Sequence, residues 1–152
     1  METIEEIDRL VGIAVRERLE GVDWLLSLDR KTIQESYNGI GPAFLSASLR
    51  SLVTKLFGTL APAAVIHDLR NEFSDGSKEK FHEANWEFLV NCLKLIEAEY
   101  PDGGLKKRSA QRIAFVFFLF VDGDPGWRAW NEAKENHEKK IASGNSAGGN
   151  KE

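Results

Sequence analysis

Residues 63–69 read Ala-Ala-Val-Ile-His-Asp-Leu, an apolar run with an ionisable pair set inside it. The apolar residues around the pair favour burial. His67 and Asp68 resist it, because burying ionisable groups without partners costs on the order of several kcal/mol. Any fold of this chain must therefore bring a polar group to this segment from elsewhere in the sequence.

The rest of the chain reads as helices separated by glycine and proline. Ile4, Ile7, Val11, Ala14, Val15 and Leu19 recur at spacings of three and four, the mark of an amphipathic helix. Val22 to Leu28 is a short apolar piece carrying Trp24. Asp29 to Asn38 is polar and leads into Gly39-Ile40-Gly41-Pro42, a turn or loop. Phe44 to Phe57 reads as a helix with Leu45, Leu49, Leu52, Val53 and Leu56 inward and Gly58 as its stop. Pro62 suits the first turn of a new helix, the one that carries the His-Asp pair. Ser74-Asp75-Gly76-Ser77 forms a turn, and Ser77 caps a helix from about Lys78 to Tyr100. Pro101-Asp102-Gly103-Gly104 ends it. The segment from Ser109 through Phe120 has strand-like composition but no evident partner strand, so the expectation is a central buried helix. Asp124-Pro125 opens the last helix, Trp127 to about Lys140. The expected fold is all-α: one domain over residues 1–141, about six helices with a central antiparallel pair, and a disordered tail over 142–152.

Composition narrows the function classes. The net charge of −4 argues against nucleic acid, whose phosphates need a concentrated excess of Lys and Arg. The single cysteine, Cys92, excludes an internal disulfide and fits a reducing compartment. The acidic start (Glu2, Glu5, Glu6, Asp8) does not read as a secretory signal, and the apolar run from Ile113 to Val121 is too short to cross a bilayer. A cytoplasmic protein without a transmembrane segment is expected.

On the helix from Lys78, Asn85 falls on the apolar stripe between Phe81 and Leu89. A buried asparagine needs partners. Two helices joined by a short turn pack antiparallel, which makes His67 the candidate. An amide oxygen bonded to one ring nitrogen would fix the imidazole tautomer and aim the other nitrogen outward, as base-plus-orienter catalysis requires. An inert core histidine tied to an asparagine is the equal alternative. Asp68 points about 100° away from His67 around the helix. It could reach the Tyr37-Asn38-Gly39-Ile40-Gly41 loop, whose carbonyls would suit a hard cation. Otherwise it pairs with Arg50 or Arg70. His82 reads as solvated, Cys92 as a core residue, and Lys106-Lys107-Arg108 with Arg112 as a solvated helix start. Trp127 and Trp130 read as core packing. A metal-dependent phosphohydrolase is disfavoured, since His82 and His137 alone cannot complete its ligand set.

The Tyr-x-Gly-x-Gly loop, the His-Asp helix and the polar residue on the next helix together resemble the phospholipase A2 superfamily, over roughly Tyr37 to Cys92. The resemblance implies calcium held by Asp68 and the carbonyls of Tyr37, Gly39 and Gly41. It implies water activated by His67 and oriented through Asn85, with a lipid or related ester as substrate. Asn85 stands where the family has an aspartate, and Asn71 where it has a tyrosine. Residues 63–68 also resemble a small family of phage-encoded proteins with an Ala-Ala-x-x-His-Asp segment. The second reading is thus a non-catalytic interaction or structural protein of a phage or mobile element, with a protein partner.

Overall fold

The computed structural model describes residues 3–37 and 47–147. Among them are seven α-helices and no strand: α1 (Ile4–Arg16), α2 (Val22–Ser27), α3 (Arg30–Ser36), α4 (Ala47–Glu72), α5 (Lys78–Glu99), α6 (Gly104–Val121) and α7 (Asp124–Ala147). The all-α expectation holds. The turn at 73–77 reverses the chain, so α4 and α5 pack antiparallel at the centre. Ser77 caps α5 by accepting from the Lys80 amide at 3.2 Å.

The core forms where helices turn apolar faces to one another. Ile7, Leu10, Val11 and Ala14 of α1 meet Leu60, Ala63, Val65, Ile66 and Leu69 of α4 and Cys92, Leu95 and Ile96 of α5. A smaller cluster of Phe81, Ala84 and Trp130, flanked by Trp127, joins α5 to α7. Phe81 meets both tryptophan rings edge-on, with centroids 5.1 and 5.5 Å away.

The structure departs from expectation in three places. Residues 30–36 form a helix whose cap, Asp29, accepts from the Thr32 amide at 3.0 Å. Gly58 and Pro62 do not divide the next segment; α4 passes through both. Proline in a helix removes one hydrogen bond and crowds the carbonyl four residues before it, which here belongs to Gly58. The segment from Ser109 is not a central buried helix. Helix α6 begins at Gly104 and buries only Ala110 and Ala114, while Phe115, Val116, Leu119 and Phe120 are exposed. The central role falls to α4, apolar on all sides from Leu60 to Ile66 as a buried helix is. At the other end, α7 runs to Ala147.

Candidate functional site

Asn85 lies at the centre of the site and is fully buried. Its amide Nδ2 donates to the Val121 carbonyl at 3.3 Å and to Asp122 Oδ1 at 3.1 Å. With two acceptors on the nitrogen side, the amide orientation is determined and Oδ1 faces His67. His67 Nε2 lies 2.8 Å from that oxygen and must carry the proton it donates. The neutral ring is thereby held as the Nε2–H tautomer. Its other nitrogen, Nδ1, keeps its lone pair, with Asn71 Nδ2 at 3.5 Å and Asp68 Oδ1 at 3.9 Å. Phe88 packs against the ring at a centroid distance of 4.8 Å. The His67 side chain keeps 12% of its surface exposed and that of Asp68 23%.

The network continues outward. Asp122 Oδ1 also accepts from His82 Nδ1 at 2.6 Å. His82 is therefore exposed but bonded rather than simply solvated. The connected groups run His67–Asn85–Asp122–His82, from α4 through α5 to the corner between α6 and α7 and back to α5. That corner is tight: a Cβ on Gly126 would run into the Val121 carbonyl, so only glycine fits there. The turn thus holds the Val121 carbonyl and Asp122 against Asn85.

Arg70 does not pair with Asp68. It donates from Nε and Nη2 to Glu87 at 3.1 and 3.0 Å, and its guanidinium lies 4.2 Å from the centroid of the Trp24 ring. Asp68 lies on the Nδ1 side of His67. Residues 70, 75, 80, 83, 87 and 130 line a neighbouring cleft of about 350 Å³ along the α4–α5 turn. Burial pushes the Cys92 thiol well above its usual range, as a small core residue requires.

The structure thus brings together His67, Asn85, Asp68 and Asn71. Tyr37 is buried at the end of α3. Gly39 and Gly41, and the Arg50 side chain, lie outside the described residues. Among the described residues no group of three or more His, Cys, Asp or Glu side chains is placed to hold a metal ion. Asp68 supplies an oxygen donor beside His67 that suits a hard cation. The rest of the expected calcium set consists of backbone carbonyls, two of them outside the described residues.

Sequence reasoning missed Asp122 and the Val121 carbonyl, whose contacts with Asn85 span 37 and 36 positions and follow no periodicity. It also missed Asn91, which is fully buried. Asn91 Oδ1 accepts from the Glu20 amide at 2.6 Å and its Nδ2 donates to the Glu20 carbonyl at 3.0 Å. That pair ties the α1–α2 turn to α5. No helix of the described chain is long and apolar enough to cross a membrane. In comparisons with known proteins, the chain matches no family model, no curated protein and no solved structure.

Proposed function

We propose that this chain is a phospholipase A2-like hydrolase in which His67 takes a proton from water for attack on an ester. The observation that carries this reading is the division of labour between the ring nitrogens. Nε2 is tied to Asn85, and Nδ1 keeps its lone pair beside Asp68. A neutral histidine of fixed tautomer has the form that a general base needs. Asn85 and Asp122 act as positioning residues. The Asp122 carboxylate draws on the Asn85 amide hydrogens and makes Oδ1 a stronger acceptor for Nε2–H. As His67 gains its second proton at Nδ1, the nearby Asp68 carboxylate stabilises the imidazolium. A hard cation, when bound, would polarise the ester carbonyl. Asp68 would be its carboxylate donor, alongside the expected carbonyls of Tyr37, Gly39 and Gly41.

The test is hydrolysis of a dispersed short-chain phospholipid and of a simple aryl ester, with millimolar calcium or with chelator. The expected result is ester cleavage that His67→Gln lowers at least 100-fold while leaving the helical circular dichroism unchanged. Absence of cleavage by the wild-type chain under both conditions would overturn the reading.

A second reading has its own support. Both His67 nitrogens lie near side-chain partners, and the ring is mostly buried. An interaction or structural protein, of a phage or mobile element, would use the network only to join helices. On that reading His67→Gln lowers stability and the chain cleaves no ester.

A further inference from the structure

We propose that His82 is a positioning residue for His67, acting on it through Asp122 and Asn85. The effect on rate rests on the hydrolase reading above; the hydrogen-bond geometry is independent of it. His82 and Asn85 lie three residues apart on α5 and so share one side of that helix. Both reach the same oxygen of Asp122, His82 through Nδ1 at 2.6 Å and Asn85 through Nδ2 at 3.1 Å. A carboxylate offers lone pairs and no proton, so the hydrogen of the shorter bond belongs to His82 Nδ1. The neutral His82 ring is thus the Nδ1–H tautomer, with its lone pair on Nε2. His67 holds the opposite form, its hydrogen on Nε2 towards Asn85. One amide and one carboxylate in line fix both rings, in opposite senses.

The link in this line that most needs holding is Asp122. Its side chain keeps 28% of its surface exposed, and among the described residues it bonds only to Asn85 and His82. Water therefore competes with Asn85 for the carboxylate. The 2.6 Å bond from His82 opposes that competition, because hydrogen bonds to a carboxylate are the shorter and stronger kind. Without it the carboxylate can turn to solvent, and Asn85 Nδ2 keeps only the Val121 carbonyl at 3.3 Å. Asn85 is fully buried, and an amide hydrogen left there without an acceptor is costly. The amide loses part of what orients it. Its Oδ1 also becomes a poorer acceptor for His67 Nε2–H, since hydrogen bonds in a chain polarise one another. The His82 ring itself meets Phe81 edge-on, with centroids 5.0 Å apart. That ring contact and the Nδ1–H donor can be removed separately.

Nitrogen-15 NMR of the histidine rings in the full chain, at a pH where both are neutral, tests this with two variants. His82→Phe keeps an aromatic ring beside Phe81 and removes the donor. His82→Asn removes the ring and offers an amide hydrogen near the place of Nδ1–H. The wild-type chain should show His82 protonated on Nδ1. His82→Phe should lower the ratio of Nε2–H to Nδ1–H tautomers at His67 about fivefold, the scale of one net hydrogen bond, with unchanged circular dichroism. His82→Asn should return that ratio to its wild-type value. In ester cleavage, His82→Phe should lower kcat about tenfold with KM unchanged, on the scale of a lost partner one bond behind a functional group. His82→Asn should recover it. A His67 tautomer ratio unmoved by His82→Phe would overturn the proposal. So would an equal change in both variants, or a proton on Nε2 of the neutral His82 ring in the wild type. A wild-type chain that cleaves no ester overturns the hydrolase reading instead, and the tautomer ratios still decide whether His82 positions His67.

Discussion

At the scale of single residues, the site depends on which atoms of Asn85 face which neighbours. Asn85 itself carries no charge, but a carboxylate lies one hydrogen bond further back, on Asp122. This changes what a restoring substitution would do. Asn85→Asp would set two carboxylates about 3 Å apart, and like charges at that range cannot both ionise without cost. One of them would hold a proton to a higher pH folded than unfolded. The variant's deficit against wild type should therefore be smallest in acid and grow as pH rises towards neutrality; a pH series of urea melts checks this. Exchanging the two, Asn85→Asp with Asp122→Asn, leaves one carboxylate and one amide in contact. We expect the exchange to recover at least half of the stability lost by the single variant. On the proposed hydrolase reading it should also raise ester cleavage at least tenfold over wild type, because the carboxylate then meets Nε2–H directly. A lone Asn85→Asp variant as stable as wild type at pH 7 would contradict the observed contact with Asp122.

At the scale of elements, one proline and one glycine give opposite expectations. Pro62 costs α4 one hydrogen bond and a steric strain worth ~3 kcal/mol in an ordinary helix interior. Its ring is buried, which offsets part of that. Pro62→Ala should raise stability by about 1 kcal/mol, with Gly58 left in place to absorb the remaining bend. Gly126→Ala should do the reverse: its methyl group runs into the Val121 carbonyl and forces the corner apart. A loss of more than about 2 kcal/mol is expected, on the scale of overpacked sites. Chemical denaturation of both variants checks the pair of signs. These elements also show what the sequence could and could not convey. Asn85 on the apolar stripe, with a short turn to the helix bearing His67, was sufficient to anticipate their contact, because helical period and chain reversal are local properties. Gly58 and Pro62 misled because punctuation by propensity is weaker than burial, and α4 is buried around most of its circumference from Leu60 to Ile66. The outward turn of α6 was illegible for the opposite reason. Its inner face joins Ala110 and Ala114 to the half-buried Ile113 and Phe117, and residue size alone does not tell which face is inner.

At the scale of the whole molecule, one polar network links α4, α5 and the α6–α7 corner. It crosses between an apolar core that α1, α4 and α5 share and the Phe81–Trp130 cluster that seats α7. His67 is thereby linked through Asn85 to the α6–α7 corner. Neither the orientation of Asn85 nor the tautomer of His67 is set by any single helix; both are properties of the assembled fold. Nitrogen-15 NMR of the histidine rings, at a pH where His67 is neutral, therefore tests the central claim most directly. The account predicts that His67 Nε2 has the shift of a protonated nitrogen and Nδ1 that of an unprotonated one, with the tautomer lost in Asn85→Ala. Nearly equal shifts from exchanging tautomers, or a proton on Nδ1 of the neutral ring, would contradict it.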